Sequence, residues 1–418
     1  MRYRLLILLL TLAAAASQSR GDTELTARLF YRFTDISNPD NSAFRELSGD
    51  TTDDQTIGGR FILAWRGGDW SARADYQLLG QKGDAFGLSR VLPEGQLFGA
   101  DQVQSDRRRL FDLTSVISEG EDSVLLNRLD RLWVGYTGES ATVRFGRQAI
   151  SWGNGMIYTP MDFINPFDPA AVDREFKPGD DMIYGQYALS GGDDLQGALV
   201  FRRDLMTGDV EADQSTLAFK YHGFNGSSEY DLLAAGDYGD AIVAAGGNKE
   251  LGGAVWRGEA VATRTNDDTV LQFVTSLSRS WVALGRNMSG VLEYYYNGFG
   301  QSDGDYSPEA LAENPELVER IARGELFTLA QHYVAASTTI ELTPLLLVTP
   351  NLFLNLSDGS ALLQAVAQYD LRQDMVLLGS LSIPIGPDGT EFGGIPSGEP
   401  GQFLSTGPGI FIQINAYF

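Results

Sequence analysis

The sequence predicts a transmembrane antiparallel β-barrel of about 18 strands, with long connections at one end and short turns at the other. Three observations lead to this fold class. Segments of about ten residues with alternating apolar and polar side chains recur along the whole chain. The connections between these segments alternate between short and long. Beyond the amino-terminal segment no apolar run approaches the ~18 residues that indicate a membrane helix, and a closed barrel is the other structure that satisfies backbone polar groups in lipid.

The alternating segments define the predicted strands. Their even number is what single-chain bacterial barrels require. Two of them, 127–137 and 195–203, have no clear apolar face, so the sequence assigns them no orientation. In chain order the segments are 24–34, 57–66, 70–79, 127–137, 140–150, 181–190, 195–203, 214–222, 228–236, 240–247, 251–264, 269–280, 288–297, 329–341, 345–357, 361–370, 374–384 and 407–418.

The lengths of the connections predict the orientation of the barrel. If the amino terminus lies in the periplasm, every second connection is a short periplasmic turn, and the other series contains every long loop. A soluble β-sandwich or propeller has no reason to sort its loops in this way, so the membrane barrel is favoured over both. The short connections are 67–69, 138–139, 191–194, 223–227, 248–250, 281–287, 343–344 and 372–373, and the long ones are 35–56, 80–126, 151–180, 298–328 and 385–406.

The amino terminus has the pattern of a secretory signal peptide. Two arginines precede an apolar run from Leu5 to Leu12, which is too short to span a bilayer, and small residues follow up to Ala16. We expect residues 1–16 to be removed, with Ser19 as the alternative cleavage point, and no cysteine follows that could carry a lipid anchor. The exported remainder, residues 17–418, is then one barrel domain in the lipid of a Gram-negative outer membrane.

The last ten residues read as one strand that ends on an aromatic residue. Ile410, Ile412 and Phe418 would face lipid, while Gln413 and Asn415 would face the lumen. A terminal Phe resembles the end of Gram-negative outer-membrane barrels, where it is a signal for the barrel assembly machinery. That resemblance implies the same role for Phe418. The alternative is an ordinary edge strand of a soluble protein.

Composition excludes several functions. The chain of 418 residues has no cysteine and two histidines, which excludes disulfides, thiolate metal sites and haem attachment motifs, and we expect no cofactor and no bound metal. The net charge of −24 argues against a nucleic-acid partner, because a phosphate backbone needs a basic surface. Neither His222 nor His332 has a serine and an acid at usable spacing, so the sequence predicts that the protein is not an enzyme.

Alternation also predicts which side chains line the pore. An arginine on the lipid face would cost ~2–4 kcal/mol at mid-membrane, so the arginines fix the register. The predicted lining consists of Arg28, Arg32, Arg60, Arg66, Arg73, Asp75, Arg144, Gln148, Arg257, Glu259 and Glu293. Two interpretations stay open: a wet channel that favours anionic or polar hydroxylated solutes, or opposite charges that pair along the inner wall.

The connection 151–180 is the most distinctive of the long loops. Prolines and glycines fix its backbone, and aromatic residues give it an apolar underside. We expect it to pack inside the barrel mouth as a constriction, and the alternative is an outward surface loop. The residues assigned to the constriction are Trp152, Asn154, Asp162, Asn165 and Asp168.

The connection 298–328 carries a helix start signal. Ser307 is an N-cap residue, and Pro308 follows at the first helical position. Two short helices, about 308–313 and 315–323, are therefore predicted, and they would form a cap over the pore. A disordered surface excursion is the alternative.

Some motifs resemble a known family. The strand end Gly146-Arg147-Gln148, the pair Trp152-Gly153 and the stretch from Asn165 to Pro169 resemble Gram-negative outer-membrane porin-like barrels, nearest to the alginate-export type. These motifs cover about 35 residues, and the rest of the chain is generic barrel pattern. The resemblance implies an 18-stranded monomeric barrel whose Arg-rich lumen takes a polyanionic polysaccharide. The acidic loops of this chain depart from that family pattern, so the solute stays open.

The polar, Arg-rich lumen favours one function. We expect an outer-membrane channel, or porin, that passes polar or anionic small solutes or an oligosaccharide by diffusion. The alternative is a plugged structural or partner-binding barrel without transport.

Overall fold

One large antiparallel sheet dominates the structure, a computed structural model that describes residues 21–91 and 106–418. The sheet contains 19 strands, of which the short strand Thr114–Glu119 pairs only with the strand Ser123–Thr137. The other 18 close into a barrel, because the first strand pairs with both the second strand and the last. The predicted fold class is confirmed. The predicted signal peptide, residues 1–16, lies outside the described residues.

All 18 predicted strands are present and in the predicted order. Three further short strands, β4, β19 and β20, lie within the long connections 80–126 and 385–406. The strands are β1 (Asp22–Ser37), β2 (Thr51–Gly67), β3 (Trp70–Gly83), β4 (Thr114–Glu119), β5 (Ser123–Thr137), β6 (Ala141–Gln148), β7 (Asp180–Ala188), β8 (Asp194–Val200), β9 (Thr216–Asn225), β10 (Ser228–Asp237), β11 (Asp240–Leu251), β12 (Ala254–Arg264), β13 (Thr269–Ala283), β14 (Arg286–Asn297), β15 (His332–Thr343), β16 (Leu346–Asn355), β17 (Ala361–Arg372), β18 (Met375–Ile385), β19 (Ile395–Pro396), β20 (Phe403–Leu404) and β21 (Gly409–Tyr417).

The described parts of the connections contain four short helices: Ala43–Ser48, Asp84–Val91, Pro308–Ala312 and Pro315–Ala322. The last two confirm the helices predicted in the connection 298–328. Ser307 and Asn314 cap them, and each is followed by proline. Within the described ranges no helix is long and apolar enough to cross a bilayer.

One predicted short turn, 281–287, was too long, and another, 248–250, was placed wrongly. Strands β13 and β14 continue through most of 281–287 and meet in a two-residue turn at Leu284 and Gly285, whose φ angles are 52° and 70°. Strand β11 likewise continues through 248–250, and the turn is made by Gly252 and Gly253. Positive φ at both central residues is the geometry of the tight hairpin turn that matches strand twist.

The outer face of the barrel is apolar. Leu25 and Ile57 are 68% and 65% exposed, whereas Arg28 and Arg60 on the opposite face of the same two strands are buried. The same alternation continues in β21, where Ile412 is exposed and Gln413 is buried. An apolar outside with polar side chains inside is the pattern of a barrel surrounded by lipid.

The barrel interior is divided into two unlike halves. From β7 to β12 the wall carries a patch of buried apolar side chains, and residues from the connection between β6 and β7 pack on this apolar patch. Trp152, Met161 and Ile164 of that connection form one cluster with Met182 and Val200 of the wall. The inner face of β1, β2, β3, β5 and β21 carries three buried arginines, Arg28, Arg60 and Arg131. This division explains why the segment 195–203 had no recognisable polar face.

A β-bulge explains the other ambiguous segment, 127–137. Asp75 pairs with Arg131 and Tyr76 pairs with Leu129, so Asp130 is an extra residue in β5. The extra residue breaks the alternation, and Asp130 and Arg131 are both buried in the interior. The bulge places a second carboxylate beside Arg60.

Candidate functional site

The connection between β6 and β7, residues 149–179, runs along the inside of the barrel and is called the inner loop here. Two buried wall carboxylates hold its first part by accepting backbone N–H bonds. Glu259 accepts from Asn154 at 2.5 Å and from Met161 at 3.0 Å. Glu293 accepts from three consecutive backbone N–H groups, those of residues 156, 157 and 158. Carboxylates bonded to several backbone N–H groups fix the path of a loop strongly.

A buried ion pair braces the inner loop internally. Lys177 Nζ lies 2.6 Å from Asp162 Oδ1 and also donates to the Ile150 carbonyl oxygen at 2.6 Å. The Trp152 indole Nε1 donates to Gln196 Oε1 of the wall at 2.7 Å. Burial raises the pKa of Asp162 and lowers the pKa of Lys177, while their mutual attraction opposes both shifts. The brace joins the start of the inner loop to its end.

The last part of the inner loop contacts the opposite, basic half of the wall. Asp173 Oδ2 lies 2.5 Å from Arg28 Nη2, 3.5 Å from Arg32 Nη2 and 2.8 Å from Gln413 Nε2. Asn415 Oδ1 accepts from Arg28 Nε at 3.0 Å. We call Arg28, Arg32, Gln413 and Asn415 the arginine cradle. Glu175 adds a second carboxylate, 3.1 Å from Arg28 Nη1.

The neighbouring arginines are neutralised by acids of the wall itself. Arg60 Nη1 lies 2.9 Å from Asp75 Oδ2, and Arg60 Nη2 lies 2.7 Å from Asp130 Oδ2. Arg73 also binds Asp75, and Arg131 also binds Asp130. These contacts form a network of alternating charges, in which each buried charge has a partner, as burial requires.

A pocket with about 180 Å³ of space for water lies between the basic wall and the end of the inner loop. Arg28, Arg32, Arg60 and Arg128 reach it, and the acids on its lining are Asp130 and Asp173. Its apolar surface includes Phe30 and Phe176, and the Phe176 ring centre lies 4.0 Å from the Arg60 guanidinium carbon. Four guanidinium groups against two carboxylates make the pocket basic.

The Arg128 side chain has a distinct place in this pocket. Its Nε donates to Gln77 Oε1 at 2.5 Å. Over residues 21–91 and 106–418 no carboxylate lies within ion-pair distance of its guanidinium. The sequence did not single out Arg128, because the bulge in its strand hid the inward face.

The remaining predicted pore residues are spread over the barrel. Arg144 stacks on Trp133, with its guanidinium carbon 5.0 Å from the ring centre. Gln148 is buried and donates to the Met182 carbonyl oxygen at 3.4 Å. Arg257 donates to Ser278 Oγ at 2.7 Å on the other wall. Arg66 is exposed near the short-turn end, away from the pocket. The assignment of these residues to a pore lining stays a prediction.

The predicted constriction residues all lie in the inner loop, where Trp152 and Asn154 bind the wall and the others shape or brace the loop itself. Asn154 Nδ2 donates to Asp231 Oδ2 of the wall at 2.9 Å, and Asn165 has a positive φ of 52°. Asp168 accepts from the Ala170 backbone N–H at 2.8 Å and so stabilises a turn. Trp152 and Asp162 make the contacts described above. That the loop constricts a pore also stays a prediction.

An ionic cluster missed by the sequence analysis closes the base of the inner loop. Arg147, 1% exposed, lies 2.9 Å from Asp181 and 2.8 Å from Asp106 and also donates to the Phe111 carbonyl oxygen. Arg109 binds Asp106 as well. The pattern Gly146-Arg147-Gln148 was noticed in the sequence, but partners 34 and 41 residues away gave no local signal.

The connections 298–331 and 386–408 pack together over one side of the interior and are called the lid here. Tyr306 and Leu317 of the lid are fully buried in one apolar cluster with Tyr158 of the inner loop. Glu391 accepts from the Leu329 backbone N–H at 2.9 Å and from the Tyr333 hydroxyl at 2.6 Å. Burial raises the pKa of Glu391 to about 7.

This combination of an 18-stranded closed barrel, an apolar outer face and an inner loop defines a porin-type β-barrel. Solved structures agree with that class. OccAB2 from Acinetobacter baumannii aligns with a TM-score of 0.53 and 11% identity over 96% of this chain and 98% of that one. A BenF-like porin from Pseudomonas fluorescens Pf-5 aligns with a TM-score of 0.52 and 11% identity over 96% and 99%.

A third structural neighbour has a different described role. Wzi from Escherichia coli, described as a carbohydrate-binding β-barrel involved in group 1 capsule assembly, aligns with a TM-score of 0.52 and 10% identity over 99% of this chain and 88% of that one. At these identities the likeness concerns the fold alone. No protein-family model and no curated protein sequence matches the chain.

Proposed function

We propose that the protein is a channel of the Gram-negative outer membrane that passes polar or anionic small solutes by diffusion past the basic pocket. The observation that carries this proposal is the division of the interior. The inner loop packs on the apolar patch of the wall, and the pocket of about 180 Å³ lies on the opposite side, beside Arg28, Arg32, Arg60 and Arg128. Guanidinium groups along a wet path favour anions and hydroxylated solutes.

Further features of the proposal come from the sequence. Export by the segment 1–16, assembly by the barrel machinery through Phe418, and an Arg-rich lumen of the alginate-export type are parts of it. An oligosaccharide remains among the proposed solutes, since one structural neighbour is described as carbohydrate-binding. No catalytic role is included, because His222 Nδ1 lies 2.9 Å from Asp231 in a wall pair with Lys220, without a nucleophile.

Planar bilayers test the channel directly. The purified protein should give single-channel steps in KCl, and the reversal potential in a KCl gradient should indicate anion preference. The preference should weaken as salt rises, because charges are screened over about 10 Å at 0.1 M salt. Arg128→Gln should shift the reversal potential toward cations. Arg372→Gln removes the same charge from an exposed site far from the pocket and should leave it unchanged.

One observation favours a second candidate, the plugged, partner-binding barrel. The lid and the inner loop share one apolar cluster, which closes part of the interior. If neither the wild-type protein nor a variant with a released inner loop conducts, this candidate replaces the channel. If the wild type conducts but neither Arg128→Gln nor the triple substitution of Arg60, Arg73 and Arg144 by Gln changes selectivity, the arginines serve only as wall ion pairs.

A further inference from the structure

The arginine cradle differs from the neighbouring Arg60 in the origin of its carboxylates. The acids that neutralise Arg60, Asp75 and Asp130, belong to strands of the wall. The acids that the structure pairs with Arg28, Asp173 and Glu175, both belong to the inner loop. A wall acid is fixed by the sheet, whereas an acid on a connection can leave its site without breaking any strand pairing.

The wall side of the cradle supplies neutral amides around the arginine. Asn415 Oδ1 accepts from Arg28 Nε, and Gln413 Nε2 donates to Asp173 Oδ2 at 2.8 Å. The Asp173 oxygen therefore receives hydrogen bonds from two guanidinium groups and one amide, a set of donors suited to a carboxylate. Burial raises the pKa of Asp173, but the attraction of Arg28 and the hydrogen bonds outweigh burial and hold this pKa below its usual value. The carboxylate is therefore ionised at neutral pH.

The cradle opens into the basic pocket. Arg28, Arg32 and Asp173 are all part of the pocket lining, so a solute in the pocket reaches the same donors that hold Asp173. Phe30 and Phe176 lie beside them, with ring centres 5.3 Å and 5.6 Å from the Arg28 guanidinium carbon. The site thus pairs a carboxylate receptor with a small apolar surface, which fits an organic acid of a few carbon atoms.

We propose that the arginine cradle is a binding site for small organic carboxylates, and that Asp173 is a built-in competitor that a solute carboxylate displaces. The inference deepens the proposed channel, since the solute reaches the cradle through the lumen. Exchange of one carboxylate for another leaves the guanidinium groups paired at every stage. An uncharged solute makes no such exchange and leaves Asp173 in place.

Calorimetric titration of the full chain in detergent tests the site without requiring conduction. The probes are butyrate and its neutral analogue butyramide at constant ionic strength. Asp173→Asn keeps the shape of the side chain and removes its charge, so butyrate should bind at least tenfold more tightly, a change of about 1.4 kcal/mol. Butyramide should bind both proteins equally weakly.

Matched variants separate the cradle from general effects of charge. Asp374→Asn makes the same change at an exposed ion pair with Arg372 in a short turn and should leave butyrate binding as in the wild type. Adding Arg28→Gln to Asp173→Asn should remove the gain. Glu175→Gln frees one nitrogen of Arg28 and should give a smaller gain in butyrate affinity. This variant replaces Asp173→Asn in the test if Asp173→Asn fails to fold into a heat-modifiable barrel.

Three results would overturn the assignment: equal butyrate affinity in the wild type, Asp173→Asn and Glu175→Gln, a gain that butyramide shares, or the same gain in Asp374→Asn. Bilayer recordings distinguish this failure from failure of the channel. Tighter butyrate binding without conductance in any variant would refute transport and keep the site. Conductance that butyrate blocks equally in the wild type and Asp173→Asn would refute the site and keep the channel.

Discussion

Glu293→Ala should release the first part of the inner loop from the wall. Its carboxylate, 1% exposed, accepts from the backbone N–H groups of Met156 at 2.8 Å, Ile157 at 3.1 Å and Tyr158 at 2.6 Å. Each donor left unpaired in a dry site costs about 1–3 kcal/mol. Water that enters the vacated space recovers part of this cost, so we expect the docked state to lose about 3 kcal/mol, the low end of the sum for three donors.

A loss of that size has a measurable consequence. At 1.4 kcal/mol per factor of ten, about 3 kcal/mol lowers the ratio of docked to released loop by roughly 100-fold. Single-channel records of Glu293→Ala should show larger conductance and frequent transitions between levels. Limited proteolysis of the refolded barrel should cut within 149–179, where the wild type resists.

The control is Glu229→Ala. Glu229 accepts from Asn248 Nδ2 at 2.8 Å within the wall. Over residues 21–91 and 106–418 it makes no hydrogen bond or ion pair with the inner loop, so both readouts should stay as in the wild type. The double variant Glu293→Ala with Glu259→Ala should lose less docking free energy of the inner loop than the sum of the two single losses, because both carboxylates hold the same loop. Wild-type conductance and proteolytic resistance in Glu293→Ala would refute the anchoring argument.

Three further predictions concern topology, assembly and pH. Asp305 lies at the long-loop end of the barrel and Asp69 lies at the short-turn end. Asp305→Cys should therefore react with an impermeant thiol reagent on whole cells, and Asp69→Cys should not. Reversed labelling would refute the orientation. Deleting Phe418, whose backbone N–H donates to the Ala27 carbonyl oxygen at 2.9 Å, should reduce the heat-modifiable barrel in cells, and an unchanged yield would argue against a signal. Burial raises the pKa of Glu391 to about 7 from 4.5, so its contribution to lid packing is complete below about pH 4.5 and is lost as the pH rises through about 7. Hydrogen exchange of residues 386–402 should therefore speed up between pH 6 and 8, Glu391→Gln should abolish that change, and a pH-independent rate in the wild type would contradict the assignment.

Strand positions followed from the sequence because alternation of period 2 is a local property. The errors occurred where local chemistry and backbone pairing disagree. Asn248, Lys249 and Glu250 are polar and read as a turn, yet they continue β11 and pair with β12. Trp281 likewise stays within β13. Strands of such barrels extend beyond the apolar band, where polar and aromatic side chains are favoured, and so composition marks the end of the band rather than the end of the strand.

The partners of the site could not be predicted in the same way. Arg28 and Asp173 are 145 residues apart, and Asn154 and Glu259 are 105 residues apart. Alternation places Arg28 and Glu259 on the inner face, but it says nothing about which connection folds back to meet them. The extra residue Asp130 was also hidden, because a bulge leaves no sequence signal in a strand rich in charge.

The roles of the inward acids change the charge balance expected from composition. The sequence analysis placed Glu259 and Glu293 among the acids that offset the arginines of the lumen. Both instead accept hydrogen bonds from backbone N–H groups of the inner loop, on the other half of the wall. Their charges are therefore committed to holding the loop. The acids left on the pocket lining are Asp130, which the bulge supplies, and Asp173, which the loop supplies. One element, the inner loop, thus both covers the apolar patch of the wall and carries the movable charge that faces the basic half, so its docking and the selectivity of the pocket should change together.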